Sequence, residues 1–197
     1  MPQQLVIDLE AAYRFGSLLD AMITEPGKVN YFNRSVGDTQ FGQAEFYQAT
    51  AMKRAFFADT FCKSLATGCD MQKVSVKENW PIDYNGFEFR LDVRCKWDFF
   101  RNDIDLSADL KSTACTSQKQ FEQSILHFNY DRQAAWYMDI ESKNNFMFIG
   151  VSKQSPHKIF KVPVKRGSTL YESGKSKYQE LAFRYWYLFG NLKNDRA

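Results

Sequence analysis

Within FGSLLDAMITEP (15–26), Leu18, Leu19, Met22 and Ile23 recur at the spacing of one helix face, and Pro26-Gly27 ends the run. A helix is predicted there, with Asp20 as a polar member. Residues 28–45 lose this periodicity and mix Gly, Asn, Gln and Ser with scattered aromatics, as an ordered but irregular loop does. Helical spacing returns in AEFYQATAMKRAFFADTFCKSLATG (44–68), with a break near Asp59 and a stop at Gly68.

The period then changes from helix to strand. QKVSVKENW (72–80) reads as a strand, and Asn85-Gly86 is a hairpin turn signal. In FEFRLDVRCKWDFF (87–100), Phe87, Phe89, Leu91, Val93, Cys95, Trp97 and Phe99 share one face, with Glu88, Arg90, Asp92, Arg94 and Lys96 on the other. After the turn RND (101–103), IDLSADLKST (104–113) alternates again as a half-buried strand. Ile104, Leu106, Ala108 and Leu110 form its apolar face, and Asp105, Ser107, Asp109 and Lys111 its polar one. A tight two-residue hairpin between these strands would put Asp92 opposite Lys111 or Thr113, on the face that carries Asp109.

KQFEQSILHFNYDRQAAWYMDIE (119–141) predicts one helix of about five turns, stopped by Asn144-Asn145. Gln133 and Tyr137 share a face of it one turn apart, with Tyr130 a turn back. FMFIGVSK (146–153) and KIFKVPV (158–164) read as strands, and SGKSKYQELAFRYWYLFGNL (173–192) as an amphipathic helix. No repeat, low-complexity tract or linker interrupts the pattern. The prediction is a single α/β domain over 1–197, with a central sheet flanked by helices.

Composition supports a packed core, with 44% hydrophobic and 16% aromatic residues in a chain of 197. The 26 basic and 23 acidic residues leave a net charge of +3, so total charge selects no polyanion and any such signal must be local. No apolar run nears the roughly 18 residues that cross a bilayer. MPQQLVIDLE lacks the charged-then-apolar order of a signal peptide, so a cytoplasmic protein with no membrane partner is expected. Cys62, Cys69, Cys95 and Cys115 lack CxxC spacing and read as ordinary thiols. With only His127 and His157 to join them, structural zinc is not expected.

The polar face of 104–113 gathers the chemistry. Asp92 and Asp109 on one face repel each other unless a positive charge lies between them, and a hard divalent cation such as Mg²⁺ is the usual resolution. A lysine beside such a cation orients a water and stabilises its deprotonated form, while the cation offsets charge on a phosphoryl oxygen. That is the chemistry of a phosphodiester hydrolase. Asp-x-Lys alone also describes a solvated strand, and Glu141-Ser142-Lys143 repeats the pattern at a helix end, where it reads as surface charge.

The setting of Asp109-Leu110-Lys111 is more specific than the tripeptide. FRLDV (89–93), ADLKST (108–113) and YDRQAAWY (130–137) follow one another as an acidic strand, a D-x-K strand and a QxxxY helix. In that order they resemble the PD-(D/E)xK nuclease superfamily, and within it the RecB-like and RecE-like (exonuclease VIII) branch. FGSLLDAMITEP resembles that branch's first helix motif, Gly-x-x-x-His followed by a short apolar stretch and Glu-Pro.

The resemblance implies a restriction-endonuclease-like core. It implies Asp92 and Asp109 as metal ligands with the Leu110 carbonyl as a third, Lys111 acting on the attacking water, and Gln133 and Tyr137 holding the DNA phosphate or buttressing the site. The implied activity is a Mg²⁺-dependent exonuclease on linear double-stranded DNA, of recombination or phage type, with Mn²⁺ as the alternative ion. RecE-like relatives commonly form rings around DNA and work with a single-strand annealing protein, so both a homo-oligomer and that partner are implied here.

Asp20 stands where the motif has His, and offers the metal an oxygen ligand in place of an imidazole. A catalytically weakened nucleic-acid-binding relative and an endonuclease on the same fold are the alternative readings. No Cys follows Cys115, which sets aside the iron–sulfur subgroup, and no Walker A sequence is present. Arg90 and Arg94 flank Asp92 on its own face and are the basic residues best placed for a phosphate backbone. Glu78 reads as a solvated strand end and His127 as a packed or surface histidine. The aromatics of Trp136-Tyr137 and FRYWYLF (183–189) either stack on bases or fill the core.

Overall fold

A computed structural model describes residues 9–190. The first helix, α1 (Leu9–Thr24), begins ahead of the predicted start and buries Phe15, Leu18, Leu19, Met22 and Ile23. The stretch expected to be irregular holds a 3-10 turn (Pro26–Lys28) and three two-residue strands, β1 (Val29–Asn30), β2 (Ser35–Val36) and β3 (Thr39–Gln40), paired as a small antiparallel sheet. Helices α2 (Gln43–Ala58) and α3 (Thr60–Thr67) divide at Asp59, whose carboxylate caps α3 by accepting from Cys62 N at 3.0 Å.

Strands β4 (Asp70–Tyr84) and β5 (Phe87–Phe100) form a long hairpin paired from Asp70↔Phe100 to Tyr84↔Phe87. Asn85 and Gly86 make its turn with φ of 54° and 81°, the left-handed pair that a two-residue hairpin requires. Then come β6 (Ser107–Thr113), α4 (Gln118–His127), α5 (Tyr130–Ile140), β7 (Asn145–Ser152), β8 (Ile159–Lys165) and α6 (Thr169–Phe189). The final residues of the predicted C-terminal helix, 191 and 192, lie outside the described residues. The five long strands lie in the order β4-β5-β6-β7-β8, parallel between β6 and β7 and antiparallel elsewhere. This is the mixed central sheet of the predicted α/β architecture.

Helices α1, α2 and α3 cover one face of the sheet, packing on Phe99, Ala108, Leu110, Ile149 and Val151. Helices α4, α5 and α6 cover the other, packing on Val93, Cys95, Trp97, Phe146 and Phe148. Among the described residues no helix is long and apolar enough to cross a membrane.

Three expectations need correction. The predicted helix over 119–141 is two helices, because Asn129 takes a left-handed φ of 54° between them. Strand β6 is not half-exposed: it runs between β5 and parallel β7, and Ser107, Ala108, Asp109 and Leu110 are all buried. The third concerns the hairpin. Residues 101–106 form a loop instead of a tight turn, and Asp105 leaves the strand face to accept hydrogen bonds from Asn144 N and Nδ2 at 2.9 and 2.7 Å. The longer loop shifts the register, which pairs Phe99 with Ala108 and Phe100 with Ser107. Asp98, and not Asp92, is therefore the β5 carboxylate level with Asp109.

Candidate active site

The β5–β6 ladder has only the two pairs at Phe99 and Phe100, and beyond them a side chain takes its place. Asp98 Oδ2 accepts the Leu110 N–H at 2.8 Å. The alternation of β5 slips at this point. Trp97 packs against Tyr137 of α5 at 5.1 Å, whereas Phe99, expected on the same face, stacks on Phe56 of α2 at 5.7 Å. On the adjoining strand Gln72 adopts a left-handed φ of 56°, and its amide donates to both Asp20 oxygens at 3.1 Å and to Thr24 Oγ1 at 2.7 Å. Irregularities of this kind re-aim side chains next to functional sites. Here they let α1 and α5 reach the same point from opposite faces of the sheet.

Asp109, with 4% of its surface exposed, is the centre of the cluster. Gln133 Nε2 donates to its Oδ1 at 2.5 Å, Lys111 Nζ lies 2.6 Å from its Oδ2, and Lys111 also donates to Gln133 Oε1 at 3.0 Å. The three side chains close a triangle. The ammonium further sits 4.5 Å over the Tyr130 ring. Tyr137 packs beside them, its hydroxyl pKa raised by burial and by the Asp109 charge, with a Gln133 hydrogen bond acting the other way.

The charges explain the electrostatics. Burial pushes the Asp98 carboxyl pKa well above the usual carboxylate range, and repulsion from Asp109 and Asp20 adds to it against the Leu110 N–H and Lys111. Asp20 is raised in the same way, by burial first and by Asp109, while Thr24, Lys96 and Gln72 oppose the shift. For Lys111, burial is the largest single influence and would lower the pKa, but the contact with Asp109 and the charges of Asp98 and Tyr130 together outweigh it and the net shift is upward.

A divalent cation fits these residues. Asp109 Oδ2 is buried without a hydrogen bond, since the nearby ammonium supplies charge but not hydrogen-bond geometry. Asp98 and Asp20 are carboxylates held close to it and disfavoured as anions. Among the described residues no three His, Cys, Asp or Glu side chains form a ready-made cage. Mg²⁺ is ordinarily held by only one or two carboxylates with several waters, so Asp98 and Asp109 with a main-chain oxygen suffice as a donor set.

Of the residues singled out by sequence, Asp20, Asp109, Leu110, Lys111, Gln133 and Tyr137 come together. Asp92 does not join them. It lies exposed on the far arm of the β4–β5 hairpin, where it accepts from Asn79 N at 3.0 Å beside a bulge between Lys77 and Trp80. Arg90 is on the same arm, bonded to the Asn79 carbonyl and to Glu88, both at 3.1 Å. Arg94 lines a cavity that reaches Gln133 and Tyr137. Glu78 and His127 are exposed, the latter edge-on to Phe128 at 4.6 Å.

Asp98 and Gln72 are not among the candidates that the sequence offers, and Lys96 figures there only on the polar face of its strand. Lys96 stands 3.8 Å from Glu25, and its charge is felt by Asp20. The available signal for Asp98 was a lone carboxylate inside the apolar run Trp97-Asp98-Phe99-Phe100, a position that needs a polar reason.

Comparison with known proteins bears on this arrangement. A Eubacterium rectale protein named as a putative exonuclease superposes with a TM-score of 0.63 at 18% identity, over 94% of this chain and 68% of that one. The likeness shows a shared, restriction-endonuclease-like fold. A phage-related exonuclease from Haemophilus somnus 129PT gives a TM-score of 0.40 at 14% identity, over 84% of this chain and 82% of that one. No curated protein matches the sequence. The family described as a PDDEXK-like domain of unknown function (DUF3799) matches residues 9–193. With nearly its whole length so matched, the chain belongs to that PDDEXK-like family and thereby to the PD-(D/E)xK nuclease superfamily.

Proposed function

We propose that this protein is a Mg²⁺-dependent exonuclease that hydrolyses phosphodiester bonds of linear double-stranded DNA, of the RecB-like and RecE-like kind that its motifs resemble. The observation that carries the reading is the triangle of buried Asp109 with half-buried Lys111 and Gln133, with the Asp98 carboxylate bonded to the intervening Leu110 N–H. In this reading Asp98 takes the role that sequence alone gave to Asp92. Asp98, Asp109 and the Leu110 carbonyl hold the cation, with Asp20 as a further oxygen donor. When bound, the cation neutralises charge on a phosphoryl oxygen and acidifies a water.

The remaining work belongs to side chains of the protein. Lys111 stabilises the attacking water in its deprotonated form, and Gln133 holds Lys111 and Asp109 in register through the two ends of its amide. The Tyr137 hydroxyl, beside Asp109 and Gln133, donates to a phosphate oxygen. Arg94 contacts the DNA backbone, whereas Arg90, engaged by Glu88, contributes less. A ring-shaped homo-oligomer, a single-strand annealing protein as partner and a cytoplasmic setting accompany the RecE-like reading.

The test is incubation of the purified protein with linear duplex and with covalently closed circular DNA, in Mg²⁺, in Mn²⁺ and in EDTA. Digestion of the linear form alone, abolished by EDTA, is expected. Cutting of the circle would make the protein an endonuclease. Absence of digestion with either metal would make it a binding-only relative in which Asp20, standing for the motif's His, marks the loss.

A further inference from the structure

The pairing of β4 with β5 passes through Met71↔Phe99 and Lys73↔Trp97 but omits Gln72 and Asp98, the residues between them. One gap in the ladder thus frees both side chains. Asp98 turns to the Leu110 N–H, and Gln72 turns to Asp20 on α1. At Gln72 the backbone is left-handed, with a φ of 56°. Glycine takes that conformation without strain and asparagine with little, so a kink alone would be better made by either. The strain at Gln72 points to a use for its longer amide.

That use is visible in the hydrogen bonds. An ionised carboxylate only accepts, which fixes the NH₂ end of the amide toward Asp20. Nε2 stands 3.1 Å from both Oδ1 and Oδ2, so one N–H is shared across the carboxylate, while the other goes to Thr24 Oγ1 at 2.7 Å. Buried Thr24 in turn divides its one hydrogen between the Asp20 carbonyl at 2.9 Å and Oδ1 at 3.0 Å. Oδ1 therefore lies under two donors and Oδ2 under one. The carboxylate is held in one orientation, and Oδ2 is its less engaged oxygen.

We propose that Gln72 is a positioning residue for the cation: with Thr24 it holds Asp20 so that Oδ2 is offered to the ion bound by Asp98 and Asp109. The proposal rests on the metal-dependent reading above and adds a residue that acts only through another. A Gln72 that merely fastened β4 to α1 would influence stability, and any influence on the ion would be independent of Asp20. A positioning Gln72 loses its influence on the ion once the Asp20 carboxylate is gone.

The experiment measures metal binding without DNA. Mn²⁺ is titrated into wild type, Gln72→Gly, Asp20→Ala and the double variant, and free Mn²⁺ is read by electron paramagnetic resonance. Glycine accepts the left-handed backbone, so Gln72→Gly keeps the kink and loses the amide. Melting curves in EDTA check that each variant is folded. Gln72→Gly should weaken Mn²⁺ binding by about 10-fold or more, the scale on which the partners of metal ligands act. Asp20→Ala should weaken it as well, and in that background Gln72→Gly should change affinity by less than about threefold. Gln72→Asn suits the same backbone but is one methylene too short, and should match Gln72→Gly.

Equal Mn²⁺ affinity of wild type and Gln72→Gly, or an undiminished loss in the Asp20→Ala background, would overturn the proposal and leave Gln72 a tie between β4 and α1. The two readings fail separately. Coupled effects of Gln72 and Asp20 on Mn²⁺ in a protein that cuts no DNA would remove the nuclease and keep the positioning role. Digestion by a protein whose Mn²⁺ affinity ignores Gln72 would remove the positioning role alone.

Discussion

Substituting Asp98 by Asn and by Ala separates the two things its carboxylate does. It accepts the Leu110 N–H at 2.8 Å, a bond that the Asn side-chain oxygen reproduces and a methyl group does not. It also carries a charge that burial, Asp109 and Asp20 all disfavour. In metal-free protein Asp98→Asn should keep the β5–β6 junction and gain about 1 kcal/mol, the usual scale of relieving a functional site. For a chain of this size that raises Tm by about 2–4 °C. Asp98→Ala leaves a main-chain donor unpaired, at about 1–3 kcal/mol. Its Tm should then lie about 2–12 °C below that of Asp98→Asn. With Mg²⁺ both variants should digest linear duplex slower by about 10²-fold or more, as a lost charge-stabilising group does. Asp92→Asn, on the exposed hairpin arm, should stay within about threefold of wild type. The checks are thermal denaturation in EDTA and a digestion time course. An active Asp98→Asn beside an inactive Asp92→Asn would refute the register argument.

Two further predictions concern contacts made by α5. Lys111→Ala removes the cation beside a buried carboxylate, so metal-free stability should fall by about 3–5 kcal/mol. Cleavage should drop by about 10²-fold, and the rise in Tm on adding Mn²⁺ should exceed that of wild type, because a metal then supplies the only positive charge at Asp109; an equal rise would contradict the placement of Lys111. Gly174→Ala would put a methyl carbon 2.0 Å from the Asp131 carbonyl oxygen where α6 crosses α5. Overpacking of this kind costs about 1–3 kcal/mol, read as a Tm lower by about 2–12 °C, and a variant as stable as wild type would contradict the close approach of the two helices.

What could be read from sequence was what depends on nearby residues. The alternation of 87–99 is local, and so is the strand it predicts. The spacing of Asp109, Lys111, Gln133 and Tyr137 places them along a strand and a following helix whatever their neighbours do, and the structure brings them together. Asp98 depended instead on how a distant strand pairs. A loop over 101–106 in place of a tight turn slid β5 along β6, and the same slide moved Asp92 out of range. Gln72 was invisible for another reason: its part depends on a left-handed backbone at a residue type that rarely adopts one. Asn129, with the same conformation, broke a helix that the apolar spacing carried straight through.

These irregularities are related. A central strand buried on both faces needs its main-chain groups paired, because water cannot reach them. Where β5 turns away, the Leu110 N–H would be left without a partner, and Asp98 supplies one from its side chain. The gap in the ladder is thus also what carries a second carboxylate to Asp109. That position is electrostatically unfavourable for the folded chain: Asp98 and Asp20 resist ionisation there, and Asp109 Oδ2 is buried with charge beside it but no hydrogen bond. Strand β6 stays in place because seven parallel pairs, from Ser107↔Phe146 to Thr113↔Ser152, tie it to β7, and a helical layer packs on each face. Stability and chemistry are accordingly divided between the two edges of one strand. The β7 edge holds β6 in the sheet, and the β5 edge gives up its backbone pairing to gather carboxylates at the point where the proposed function brings a cation and a phosphate together.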